Sequence, residues 1–134
     1  MYTSKETDRS ITILFSSTPT LVDRACRDLT EYWDGKKNSL GQFLQVVREL
    51  LMNGVEHGNR SDESKNVECT VTQISEGRYS VRVTDEGSGV TPEQVRLRAP
   101  EDPATPRSRG YAIINAHADD ISFDIANATV TAYL

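Results

Sequence analysis

The 134-residue chain has two cysteines, one tryptophan and only 7% aromatic residues. Nowhere does it carry an apolar run close to the ~20 residues that a membrane-crossing helix needs. Cys26 and Cys69 form no CxxC pair and have no paired-histidine spacing beside them. That excludes a zinc motif or a disulfide framework and leaves an expectation of two buried thiols in a reducing cytoplasm. A surplus of basic charge is also missing. Fifteen Lys and Arg stand against 20 Asp and Glu, a net charge of −5, opposite in sign to the footprint of a nucleic-acid binder. The opening segment MYTSKETDRS is polar and mixed in charge, so no secretory signal is expected there. These readings point to a cytoplasmic protein with no direct nucleic-acid or membrane contact.

What is present suits one folded unit over residues 1–134. Hydrophobic residues make up 37% and charged residues 26%, too apolar for wholesale disorder. A chain of this length buries roughly two-thirds of its unfolded surface, so it needs no covalent staple.

Along the chain, residues 1–8 read as a flexible arm and residues 10–15 (SITILF) as a short strand. Hydroxyl residues before Pro19 signal a helix start. This helix should run to Tyr32 or Trp33, with Leu21, Ala25 and Leu29 on one face and Asp34-Gly35 ending it. A second helix is expected from Asn38 or Ser39 to about Glu56. Alternation over residues 67–74 and 79–84, around Glu76-Gly77, predicts a hairpin with one buried face. Residues 91–97 fit a short helix with Thr91 and Pro92 at its start. The segment 91–110 holds four of the five prolines and four arginines and reads as a mobile loop. A helix from about Gly110 carries Tyr111, Ile113, Ile114 and Ala118. Strands over 120–125 and 129–134 close the chain around Ala126-Asn127-Ala128. Strands in hairpins with helices between them imply an α+β, two-layer α/β sandwich. Its sheet should be mixed and mostly antiparallel, with helices on one face.

Three segments carry chemistry. Glu49, Asn53 and His57 recur every four residues, so at 100° per residue they form one helical stripe. Phe43, Val47, Leu50, Leu51 and Gly54 cluster on a different stripe, the core face. In the second segment, Asp85-Glu86-Gly87-Ser88-Gly89, a carboxylate at a strand end is followed by two glycines that let backbone approach a ligand. A buried Asp there accepts from an NH or NH2 donor, of which an adenine amino group is one. In the third, Arg107-Ser108-Arg109-Gly110, guanidinium groups precede free helix amides, which suits an anion. Each segment alone also fits plain chemistry: a solvated helix face, a turn, a basic loop.

Taken in order, ELLMNGVEHGN (49–59), DEGSG (85–89) and SRGYAII (108–114) resemble the Bergerat-type ATP-binding domain of histidine kinases and gyrase B. Most closely, they resemble the small stand-alone anti-sigma factor serine/threonine kinases of bacterial partner-switching systems. The resemblance runs from Ile11 to Leu134. It implies that Asn53 coordinates Mg2+ on the phosphates of ATP and that Glu49 is the base for the attacking hydroxyl. Asp85 would bond the adenine amino group, with Gly87 and Gly89 shaping the pocket. A lid at about 91–110 would bring Arg107 or Arg109 and Gly110 to the phosphates. His57 and Asn59 would shape the pocket edge or lid hinge, and Thr129 would lie near adenine. The implied partners are a STAS-domain antagonist as substrate, a sigma factor or other regulated protein, and a second copy in a homodimer. Ser108 departs from the family's usual glycine at that position. It leaves open a catalytically weak module of the same fold that regulates its partner by association alone.

Overall fold

The computed structural model describes residues 1–33, 40–87, 114 and 118–134. Six strands form one sheet in the order β1-β2-β3-β4-β6-β5. They are β1 (Tyr2–Glu6), β2 (Ser10–Ser16), β3 (Asn66–Ser75), β4 (Arg78–Thr84), β5 (Asp120–Asp124) and β6 (Thr129–Tyr133). Every pairing among them is antiparallel. Helices α1 (Pro19–Trp33) and α2 (Leu40–Asn53) pack on each other and on one face of the sheet. This is the expected α+β sandwich.

Strand alternation makes that face. Ile11, Ile13 and Phe15 of β2, Val67, Cys69 and Val71 of β3, and Tyr79, Val81 and Val83 of β4 are all buried. Their neighbours in sequence turn to the other face, which is rich in hydroxyl groups. There Thr12 and Thr70 are 3.1 Å apart, oxygen to oxygen. The helices complete the core with Val22, Ala25, Leu29, Val46, Val47, Leu50 and Leu51. Ile114 is 2% exposed and joins this core, and its carbonyl accepts a bond from the Ala118 amide at 2.8 Å, one helical turn on.

Local chemistry sets the ends. Thr18 Oγ1 accepts from the Leu21 amide at 3.3 Å, capping α1 ahead of Pro19 in the first turn. Gly77, with φ 75°, makes the β3–β4 turn that a side chain would resist. The register shifts between Gln73 and Ser75; Ile74 shares the open face with Glu68, Thr70 and Thr72 and is exposed.

The amino terminus is a correction. Residues 2–6 are not part of a flexible arm but the edge strand β1, paired along its length with β2. Three contacts hold it. The Tyr2 hydroxyl donates to Asp28 Oδ2 at 2.5 Å, the Arg24 guanidinium carbon lies 3.9 Å from the Tyr2 ring centre, and the Tyr2 and Phe15 rings are 6.4 Å apart. The terminal amino group also donates to Ser16 Oγ at 3.0 Å. All these partners lie on other elements, which a reading of the polar local sequence overlooks.

Candidate functional site

On α2 the two stripes separate as the helical angle dictates. Phe43, Val46, Val47, Leu50 and Leu51 are buried. Glu49, Asn53 and His57 are each half-buried and emerge at the edge of the core. The α-helical winding stops at Asn53. The next turn, Gly54–Gly58, is a π-turn closed by the Asn59 amide donating to the Gly54 carbonyl at 2.8 Å. Such widened turns often occur at functional sites. Gly54 seats this turn on the sheet: a methyl group there would be 3.5 Å from Val67 and 3.6 Å from Val83, the buried residues of β3 and β4.

That placement brings Gly58 to Asp85. A side-chain carbon on Gly58 would overlap the Asp85 carboxylate, and one on Gly87 would overlap the Gly58 carbonyl. Two segments distant in sequence therefore interlock where two glycines and one carboxylate meet. The Asp85 amide donates to the Ala128 carbonyl at 3.1 Å, which anchors the residue just past the end of β4. Asp85 Oδ1 accepts the Gly87 amide at 2.8 Å, a side-chain turn that fixes the carboxylate. Behind it, Asn59 is 1% exposed and bonds Ser17, Asn66 and Glu86 at once.

The electrostatics single out Glu49. Burial raises its proton affinity above that of an ordinary glutamate, the Glu56 carboxylate raises it further, and Arg48 opposes both. A carboxylate held in this way is a stronger base than one in water. His57 Nε2 lies 4.0 Å from Glu56 Oε2, on the same turn.

The residues fit a magnesium nucleotide. The Asn53 amide oxygen is a hard ligand, and Mg2+ takes only one or two protein oxygens beside phosphate and water. Such a site needs no dense cluster, and none of three or more His, Cys, Asp or Glu is found among the described residues. Asp85, clamped as an acceptor, matches a ligand amino group.

Thr129 opens β6 beside the end of β4. Its Oγ1 is 2.8 Å from Thr84 Oγ1. The two are register partners flanked by the pair Val83 and Val130. Strand alternation turns both hydroxyls to the open face, whereas the Asp85 carboxylate faces Gly58 on the helix side. A cavity of about 240 Å³ on that open side, lined by Leu14, Asn66, Glu68, Thr84, Asp85 and Glu86, therefore lies across the sheet from the stripe of α2. Gly89, Arg107, Ser108, Arg109 and Gly110, with the whole lid at about 91–110, fall outside the described residues. So do Asp34-Gly35, Asn38, Ser39, Tyr111 and Ile113.

Two contributors are more important than the sequence reading made them. Gly58 carried no assignment, and its only signal was a glycine between His57 and Asn59. Asn59, expected at a pocket edge or hinge, is the buried tie between the end of the π-turn and the Asp85 loop. Ser17, its acceptor, gave no signal beyond a hydroxyl before a helix.

This sheet and helix pair are consistent with the fold of an ATPase-type domain. The sequence matches the family model of the histidine kinase-like ATPase domain over residues 15–133, and the chain belongs to that family, whose domains bind ATP. Among solved structures, the mycobacterial sensor histidine kinase MprB superposes with a TM-score of 0.51 at 14% identity. The match covers 85% of this chain and 90% of that one, a likeness of fold. No curated protein matches the sequence. Among the described residues, no helix is long and apolar enough to cross a membrane.

Proposed function

We propose that this domain is an ATP-dependent protein-serine/threonine kinase and anti-sigma-type switch. It phosphorylates a STAS-domain antagonist. Unphosphorylated antagonist sequesters the kinase, and phosphorylation releases it to hold a sigma factor or other target. The carrying observation is the pair on α2: Glu49, half-buried with its proton affinity raised by burial, one helical turn before Asn53.

In this reading Glu49 takes the proton from the acceptor hydroxyl of the docked antagonist. Asn53 offers its amide oxygen to Mg2+, and Asp85 accepts from the adenine amino group, with Gly87 keeping the wall close. Magnesium-bound ATP supplies the phosphoryl group and the neutralised charge that its transfer requires. Arg107, Arg109 and Gly110 are the proposed phosphate contacts, Gly89 part of the pocket wall and His57 part of its edge. The working location is the cytoplasm, as a homodimer.

The test incubates the protein with Mg-ATP and a purified STAS-domain partner. Phosphoserine or phosphothreonine should form on the partner and be lost in Glu49→Gln. Nucleotide binding without transfer would overturn the kinase reading and leave a nucleotide-gated binding module. That outcome is the one Ser108 would favour.

A further inference from the structure

We infer that Asn59 is a positioning residue for purine recognition. Its buried side-chain amide sets the backbone that carries Asp85, and so makes the site prefer adenine to guanine. The inference rests on the proposal that Asp85 meets the purine amino group.

Asn59 and Ser17 are the two buried polar side chains among the described residues, each 1% exposed. A buried amide is retained at little cost only when its bonds are made. Asn59 makes three. Both Nδ2 hydrogens are donated, to Ser17 Oγ at 2.8 Å and to the Asn66 carbonyl at 2.9 Å. Oδ1 accepts the Glu86 amide at 2.7 Å. Ser17 Oγ in turn donates to the Lys65 carbonyl at 2.8 Å. One side chain thus joins the residue after β2, the first residue of β3 and the loop after β4.

The Glu86 bond is the one that bears on recognition. The Glu86 N–H and the Asp85 carbonyl share one planar peptide unit, so fixing that N–H fixes the plane from which the Asp85 side chain departs. The next amide, that of Gly87, is committed to Asp85 Oδ1. Two successive backbone amides therefore hold the carboxylate against Gly58. An ionised carboxylate only accepts. Held in place, it takes the 6-amino group of adenine and opposes the 6-carbonyl of guanine. Allowed to swing, it loses both the attraction and the rejection, whereas phosphate and magnesium contacts elsewhere are unaffected. A site built on a fixed acceptor discriminates strongly against the analogue that lacks the donor.

The test measures Mg-ATP and Mg-GTP affinities by titration calorimetry on the full chain, with unfolding midpoints recorded for each variant. Asn59→Ala should weaken ATP by about tenfold, the loss expected for one misplaced buried hydrogen bond, and GTP by much less. The ATP-to-GTP ratio then falls. Asn59→Asp keeps an acceptor for Glu86 while losing both donors, so it should lower the midpoint yet recover most of the ratio. Ser17→Ala removes a partner of Asn59 without touching the Glu86 bond, and should lower the midpoint with the ratio unchanged. If Asn59→Ala does not fold, Asn59→Ser is read in its place, since its hydroxyl falls short of Glu86. An unchanged ratio in the Ala or Ser variant overturns the inference while the nucleotide reading stands. So does an equal fall of the ratio in Ser17→Ala. A wild-type chain that binds neither nucleotide overturns both.

Discussion

The Cα of Gly58 lies against the carboxylate of Asp85, leaving no room for a side chain between them. The two residues belong to different layers, one closing the π-turn after α2 and the other following β4. Their contact is the point at which the helix layer and the sheet share one site. It also separates two substitutions that look alike in sequence. Gly58→Ala meets the end of a side chain, which can rotate away. Gly87→Ala meets the Gly58 carbonyl, which is backbone and cannot. Gly58→Ala should therefore fold with a modestly lower midpoint and lose ATP affinity by tenfold or more. Gly87→Ala should lose both affinity and several degrees of thermal stability. Calorimetry and thermal melts of the pair check this, and equal melts would refute the distinction.

Glu49 makes a pH prediction whose sign follows from its raised proton affinity. The folded state holds the proton more tightly than the unfolded state. Ionised Glu49 therefore costs stability above its folded pKa, and the cost vanishes at a pH below the unfolded value. Glu49→Gln should then be slightly more stable than wild type near neutral pH, with the gain shrinking to nothing as pH falls through the ordinary glutamate range. Phosphoryl transfer should show an acidic limb above that range. Denaturant midpoints against pH test the first statement, and a rate profile tests the second.

Tyr2 tests the corrected amino terminus. Tyr2→Phe removes the bond to Asp28 but keeps the ring under Arg24 and against Phe15. A loss of about 1 kcal/mol is expected, the usual worth of one such hydrogen bond. Urea unfolding reads the loss. Amide exchange should quicken in β1 and not in β3 or β4, because an edge strand opens first.

The cysteines give a chemical test of the core. Both are free and buried, and burial pushes the Cys69 thiol up to about 12 and raises that of Cys26. Only a thiolate reacts readily. Neither should therefore label with a thiol reagent in native buffer at neutral pH, and both should label in denaturant. Rapid labelling of Cys69 in the native protein would contradict the packing of β3.

How far the sequence reaches can be read from particular residues. The β3–β4 hairpin is legible because its signals are local, Val67, Cys69 and Val71 alternating on one side of Gly77 and Tyr79, Val81 and Val83 on the other. The stripe Glu49–Asn53–His57 follows from the 3.6-residue helical period in the same way. β1 was not legible. Apart from Tyr2 its residues are polar and exposed, and its hold comes from Asp28, Arg24 and Phe15 on other elements. Nor was the facing of Thr129. The resemblance implies only a place near adenine, and the alternation that turns it toward Thr84 depends on register.

By itself the sequence determined the period of α1, α2 and the β3–β4 hairpin, the face each of those helices buries and the residue types available for chemistry, because those depend on neighbours within a few positions. Tertiary structure alone decided that Gly58, Asn59, Asp85 and Gly87 form one interlocked unit. Their proximity depends on where the π-turn after α2 comes to rest on β3 and β4, and that is set by packing against Val67 and Val83, which no local pattern encodes.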